Sequence, residues 1–212
     1  DRTFHFRMRM EECMVKGNFA EATQVGVKEA ATDSSLTMLR VWALSENHML
    51  GDRLFSYPLV GGSDAMLPNG ASVKLMMADE RKLYAHLGVV FIQKMRPRVY
   101  LETLHKAHRA TAAAHDWLLC AYLLDRDLNQ FVRHLAKYYP INEQLPKHYK
   151  EALIIYKHTT SHPLISYYNN VKEADYDDFQ DLGDKYGNKR ERYTALRDKY
   201  GDTYWFYYHY KR

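Results

Sequence analysis

Residues 17–22 read Gly-Asn-Phe-Ala-Glu-Ala, and this stretch separates two segments that are both compatible with a helix. In the segment before it, apolar side chains recur at helical spacing at Phe6, Met10 and Met14, a pattern typical of a helix with one buried face. The glycine of the stretch can adopt the left-handed backbone that a tight turn needs. We therefore predict a helical hairpin over residues 4–31.

Four more helix-turn-helix patterns follow, and their turns recur at a nearly constant distance. The turn residues are Gly17, Gly51, Gly88, Asp125 and His162, which lie 34, 37, 37 and 37 residues apart. A period of this length is the signature of a helical repeat architecture. The predicted hairpins cover residues 4–31, 35–58, 73–109, 112–139 and 147–171. Their predicted helices include residues 19–31, 73–87, 90–95, 97–109 and 164–171.

Composition favours helices throughout. The 212 residues include only 10 Gly and 6 Pro, against 18 Tyr and 9 Met, so helix breakers are few. We predict an all-α fold in which helical hairpins stack as a short solenoid, forming one repeat domain over residues 1–212. A plain helical bundle with evenly spaced loops is the alternative.

The end of the chain is strongly aromatic. Residues 204–210 read Tyr-Trp-Phe-Tyr-Tyr-His-Tyr and lie in a segment, residues 173–212, that follows the last predicted hairpin. A terminal repeat needs a cover for its apolar face, so we predict that this segment is a C-terminal aromatic cap. An exposed platform that stacks bases or enters a membrane interface is the rival interpretation.

Two parts of the chain resemble known protein families. The stretch 17–22 resembles the Gly-x-aromatic-x-x-Ala joint of tetratricopeptide repeats, in which the small Ala lets two helices approach closely. Residues 116–139 and 201–208 are similar to the C-terminal soluble region of an uncharacterised family of bacterial multi-pass membrane proteins. The second resemblance implies a soluble domain held at a membrane by segments outside these 212 residues. It implies no reaction and no side of the membrane.

Motifs for chemistry are missing from the sequence. There is no phosphate-binding glycine loop and no nucleophile elbow, and Cys13 and Cys120 form no thiolate pair. On a continuous helix His108 and His115 would lie about 10 Å apart, too far to share one metal ion. The acidic segment 173–184 lacks the ligand spacing of a calcium loop. We therefore nominate no catalytic residue, no cofactor and no metal ligand.

The charge is concentrated in one part of the chain. The net charge is +4, and residues 61–110 hold eight Lys or Arg against four Asp or Glu. On one continuous helix Arg98, His105 and Arg109 would share a face, which could offer cations to an acidic peptide, a phosphate or lipid headgroups. A solvated face with an Arg98–Glu102 ion pair is the alternative. The candidate partner-binding residues are Arg96, Arg98, His105 and Arg109.

Three functions are compatible with these patterns. The leading hypothesis is a non-catalytic module that binds a protein or peptide in the groove of its superhelix, as the soluble part of a membrane-associated protein. The second is binding of an acidic polymer or headgroup, such as RNA or phospholipid, through residues 94–109, although nucleic acid is the less expected partner. The third is an enzyme with a pocket between hairpins.

Overall fold

The computed structural model describes residues 1–88 and 93–210, and these two ranges are all-helical. They contain twelve α-helices and two short 3-10 helices, without a β-strand. The all-α prediction is therefore confirmed. No helix within these ranges is long and apolar enough to cross a lipid bilayer. The α-helices are α1 (Arg2–Val15), α2 (Phe19–Ala22), α3 (Ser34–Glu46), α4 (Leu50–Arg53), α5 (Glu80–Leu87), α6 (Pro97–Lys106), α7 (Ala112–Leu124), α8 (Leu128–Tyr138), α9 (Lys147–Thr159), α10 (Asn170–Asp184), α11 (Lys189–Tyr200) and α12 (Tyr204–Tyr210).

The chain divides into two compact units. Unit 1 contains Asp1–Leu50 and Tyr57–Asp125, and unit 2 contains Gly51–Ser56 and Arg126–Arg212. The expected stacking of all hairpins in a single repeat domain stays a prediction.

Unit 1 is built around α3 and α7. Every side chain from Ser35 to Ser45 of α3 is buried, and so is every one from Trp117 to Leu124 of α7. A helix that is buried all round lies at the centre of a helical assembly, because it has no polar face to give to water. Helices α1 and α2 pack against α3, while α5 and α6 pack against α7.

Unit 2 is organised by a buried carboxylate on α9. Glu151 is fully buried, and its Oε1 accepts hydrogen bonds from His148 Nδ1 at 2.8 Å and from the Tyr204 backbone N–H at 3.0 Å. The other ring nitrogen of His148 accepts from the backbone N–H of Phe55 at 3.1 Å. Helix α9 therefore ties α12 to the 3-10 helix Leu54–Ser56, although the three segments are distant in sequence.

The aromatic tail belongs to the core of unit 2. It forms α12, and its first four side chains, from Tyr204 to Tyr207, are buried. The indole of Trp205 packs against Tyr176 and Phe179 of α10 and donates to the backbone carbonyl of Glu151 at 2.9 Å. The rival interpretation as an exposed stacking platform is wrong for these four residues because water cannot reach them.

Two predicted helices are wrong in their extent. Residues 160–169 are not helical, although a helix was expected from residue 164. Pro163 lacks the N–H that a continuing helix needs, and α10 begins only after Asn169, whose side chain accepts from the Lys172 N–H at 2.9 Å. The helix expected over residues 19–31 ends at Ala22, and Gly26 beyond it has a left-handed backbone with a φ of 65°.

The third hairpin also differs from its prediction. Its first helix begins at Glu80 and not near residue 73, because Glu11 of α1 accepts hydrogen bonds from the backbone of the preceding loop. Of the helix expected over residues 90–95, residues 90–92 lie outside the described residues, and residues 93–95 are not helical. The helix expected over residues 97–109 ends at Lys106.

Three helices are followed by a residue other than glycine in the left-handed region. His48, His108 and Arg126 have φ values of 56°, 55° and 58° and stand just beyond α3, α6 and α7. This position usually requires glycine. The second turn is therefore at His48, and the prediction of a turn at Gly51 is wrong. Gly51 lies inside α4, where an added Cβ would approach the Pro146 side chain to 2.7 Å.

The buried carboxylate of Glu151 predicts a large loss of stability when it is removed. Glu151→Ala leaves two donors, on His148 and Tyr204, without their acceptor, so we expect a loss of about 3 kcal/mol. Urea unfolding measures this loss, and hydrogen exchange should accelerate at the Tyr204 amide. The control is Glu191→Ala, at an exposed position of α11. Equal losses in the two variants would contradict the role given to Glu151.

Candidate functional site

A groove of about 370 Å³ opens in unit 1, between α1, α2, α3 and α5. Its wall is mainly apolar, and three charged side chains stand among the lining residues. The apolar side chains are Met14, Val15, Phe19, Trp42 and Met77, and the charged ones are Glu46, Asp79 and Lys82. Concave sites with apolar walls and a few polar groups are where proteins commonly bind ligands. We call this site the unit 1 groove.

The wall of the unit 1 groove continues onto the outer surface of the protein. Val15 is 56% exposed and Met77 is 45% exposed, which is high for large apolar side chains. Met76, the residue before Met77, is exposed too, and so is Met8, which lies seven residues before Val15 on α1. Exposed methionines make adaptable binding surfaces because the side chain is flexible and polarizable.

A buried carboxylate fixes the loop that carries Met77. Glu11 of α1 is fully buried, and its Oε1 accepts the backbone N–H groups of Met76, Met77 and Ala78 at 2.7, 3.0 and 3.1 Å. Three consecutive N–H groups converging on one oxygen form an anion-binding concavity, here occupied by a side chain of the same unit. Residues 76–78 are thereby held out of the helix that the sequence pattern suggests.

A chain of buried and half-buried polar groups orients Glu46 at the groove. The Trp117 indole N–H donates to Ser45 Oγ at 2.8 Å, and Ser45 Oγ lies 2.7 Å from His86 Nε2. On its other side, His86 Nδ1 lies 3.4 Å from Glu46 Oε1, and the Trp42 indole N–H donates to the same oxygen at 3.2 Å. These donors and acceptors are all matched when neutral His86 carries its proton on Nδ1.

Burial keeps His86 neutral. It lowers the pKa of His86 below the ordinary 6.5; nearby Glu46 opposes this shift, and nearby His48 adds to it. The order serine, histidine, carboxylate is also that of a nucleophilic triad. Here Ser45 is only 5% exposed, and of the three residues only Glu46 lines the groove. The arrangement therefore positions the carboxylate of Glu46.

Two further cavities lie in unit 2 and have polar walls. One, of about 510 Å³, is lined by Arg126 and residues 159–162 among others, but the Arg126 guanidinium already donates to the carbonyl groups of Tyr207 and Tyr208. The other, of about 310 Å³, is lined by three lysines and four carboxylates. Within residues 1–88 and 93–210, no three His, Cys, Asp or Glu side chains are grouped to hold a metal ion. The unit 1 groove is therefore the stronger candidate.

Two of the three arginines nominated from the sequence are engaged with carboxylates. Arg96 forms a two-pronged ion pair with Asp64 at 2.8 and 3.1 Å. Arg98 contacts Glu102 at 3.3 Å, as expected from their spacing, and also Asp125 at 3.4 Å. These pairs reduce the positive charge that α6 offers to a partner.

The nominated residues do not share one helical face. Arg109 is exposed but lies beyond the end of α6 at Lys106, so its place on that face is wrong. The Nδ1–H of His105 donates to the Leu101 carbonyl at 2.7 Å, and its Nε2 lies 2.9 Å from His115 Nδ1. The turn after α6 creates this histidine contact, which the assumption of a continuous helix missed.

The groove residues gave few signals in the sequence. Glu11 interrupts an otherwise apolar face between Met10 and Cys13, and a carboxylate in that place could have indicated a buried partner. For Glu46 and His86 there was no local signal, because they are 40 residues apart and meet only through side-chain contacts between α3 and α5.

The role of Glu11 is tested by comparison with its neighbour. Glu11→Ala removes the acceptor of three N–H groups, so we expect a loss of about 3 kcal/mol and faster hydrogen exchange at Met76, Met77 and Ala78. Glu12→Ala is the matched control, because Glu12 is exposed and forms a surface pair with Lys16 at 3.2 Å. If exchange in the loop responds equally to both changes, Glu11 does not hold it.

The state of His86 makes part of the stability of the protein dependent on pH. Because the folded state lowers the pKa of His86, the unfolded chain binds more protons there, and stability falls as the pH drops below about 6.5. His86→Gln removes this contribution, so its Tm should fall less than that of the wild type from pH ~7.5 to pH ~5.5. His5→Gln, at an exposed position of α1, should behave as the wild type does. An unchanged pH dependence in His86→Gln would contradict the assignment.

Comparison with known proteins places the second half of the chain in a family. A model of a family of unknown function (DUF6057) matches residues 90–211. No curated protein and no solved structure matches the chain. The residues that line the unit 1 groove precede the matched region. Because the match covers more than half of the 212 residues, the chain belongs to this family of unknown function, DUF6057.

Proposed function

We propose that the chain is a helical protein-binding module and that the unit 1 groove receives a segment of its partner. The observation that carries the proposal is the exposed apolar wall formed by Val15 and Met77 beside the buried ring of Trp42. Exposed apolar surface next to a concave site is typical of protein interaction sites, because burying it on association is favourable.

The wall suits a peptide anchor. Aromatic side chains at the centre of an interface supply much of its binding energy, and Phe19 and Trp42 lie with ring centroids 6.4 Å apart in this groove. Met14 and Met77 can adjust to the shape of an inserted side chain. The loop of Met77 is fixed in advance by Glu11, which reduces the entropy lost on binding.

Two finer features belong to the proposal. Stacking of the helical pairs in the manner of tetratricopeptide repeats is supported by the tight turn at Gly17, where φ is 80°. Membrane association through segments outside the 212 residues is supported by the resemblance of residues 116–139 and 201–208. The activity of such a module is recognition, and no catalytic step is part of the proposal.

Binding of an acidic polymer or headgroup through residues 94–109 stays a prediction. Arg96 and Arg98 of that segment are paired with Asp64, Glu102 and Asp125, so a polyanion would have to compete with these carboxylates.

Peptide selection tests the proposal. A displayed library of random peptides is selected on the wild-type protein, and the Kd values of the recovered peptides are measured on two variants. Met77→Asp should weaken binding at least about tenfold, because it places a charge on the apolar wall. Val99→Asp is the matched control, since Val99 is 50% exposed on α6 and does not line the groove.

Recovered peptides that bind wild type and Val99→Asp equally, and Met77→Asp much more weakly, would support the groove as the binding site. Equal affinities for all three proteins would contradict the proposal.

A further inference from the structure

We infer that the partner segment carries an arginine or lysine whose head group pairs with Glu46 in the unit 1 groove. This inference rests on the proposed function and names the chemistry of the partner. The inference is based on the geometry of one carboxylate, that of Glu46, whose orientation is fixed beside the apolar wall of the groove.

In the described part of unit 1, hydrogen bonds and ion pairs reach only one oxygen of Glu46. Its Oε1 faces two donors, the Trp42 indole and His86. Among the described residues, no hydrogen bond or ion pair reaches Oε2. The side chain is 28% exposed and lines the groove, so the second oxygen is open to a ligand. An acceptor in a partly buried, apolar setting favours a charged donor over a neutral one.

The orientation of the carboxylate is fixed before a partner arrives. His86 is held by Ser45, and Ser45 by the Trp117 indole. Because the residues that position Glu46 are buried or nearly so, its carboxylate cannot turn freely toward bulk water. A preorganised carboxylate gains more from a cation than a mobile surface carboxylate does, since less side-chain entropy is lost on pairing.

The wall beside Glu46 suits the rest of a cationic side chain. The rings of Trp42 and Phe19 line the groove, and the face of an aromatic ring attracts a guanidinium or ammonium group. Met14 and Met77 offer apolar surface to the methylene stem that lysine and arginine bury while their charge reaches a polar partner.

The other two charged side chains of the groove form no ion pair with Glu46 in the described part of the chain. Asp79 is engaged by Arg81, through the backbone N–H at 2.9 Å and through the guanidinium. Lys82 is exposed, and no ion pair joins it to Glu46 in the described part of the chain. One free carboxylate oxygen is too few for a calcium or magnesium site, which needs about six oxygen ligands. A basic side chain is therefore the cation that fits.

A double-mutant cycle tests the inference. The probe is a groove-dependent peptide from the selection above that contains arginine, compared with the same peptide in which citrulline replaces that arginine. Citrulline keeps the shape and removes the charge. On the wild type we expect citrulline to weaken binding about five- to tenfold, and on Glu46→Gln to have almost no effect.

The variants are chosen to preserve the fold. Glu46→Gln retains an oxygen that can accept from the Trp42 indole, and circular dichroism and Tm verify that it folds. Glu12→Gln is the control, because Glu12 is an exposed carboxylate of α1 outside the lining of the groove, and the effect of citrulline should persist in it.

The outcomes separate the two proposals. Coupling between arginine and Glu46 supports the inference. Groove-dependent peptides that lack a basic residue, or that show no coupling with Glu46, overturn the inference and leave the proposed function standing. If no recovered peptide depends on Met77, the proposed function fails and the inference fails with it.

Discussion

The carboxylate of Glu11 is the interaction on which the shape of unit 1 depends. Its Oε1 gathers three consecutive backbone N–H groups and so turns a segment that could continue α5 into a fixed loop. Taking a carboxylate out of water costs several kcal/mol, and hydrogen bonds from N–H groups offset this cost. The result is a loop pinned to α1, with Met76 and Met77 presented at the surface.

Unit 2 also contains a buried carboxylate, which joins distant segments instead of fixing one loop. Glu151 accepts from a histidine and from a backbone N–H, and the segments that it joins are far apart in the sequence. In both units a buried carboxylate replaces a local signal such as a glycine turn or a helix cap. Removing either carboxylate should therefore lower the free energy of unfolding strongly, because several donors are left unpaired.

The sequence predicted the helices whose ends are marked locally. Helix α7 begins after Thr111, whose hydroxyl accepts from the Ala114 N–H, and α8 begins after Asp127, whose carboxylate accepts from the Gln130 N–H. Both caps are of the expected kinds. The helix ends at His48 and His108 were missed, because glycine is the usual residue there. The start of α5 was missed because it depends on Glu11, 69 residues earlier.

The candidate site was less predictable than the fold. The sequence drew attention to the excess of positive charge on residues 94–109, whereas the structure pairs two of those arginines with carboxylates of unit 1. Glu46 became notable only through Trp42 and His86, which approach it from α3 itself and from α5. Long-range packing creates such a group, and periodicity along one helix does not reveal it.

NMR mapping of a bound peptide tests whether a partner segment binds in the unit 1 groove. On titration with a selected peptide, we predict chemical-shift changes at the Trp42 indole N–H, at the methyl groups of Met14 and Met77, and at the Phe19 ring. Shifts that cluster on residues 94–109, with the Trp42 indole unchanged, would contradict this prediction.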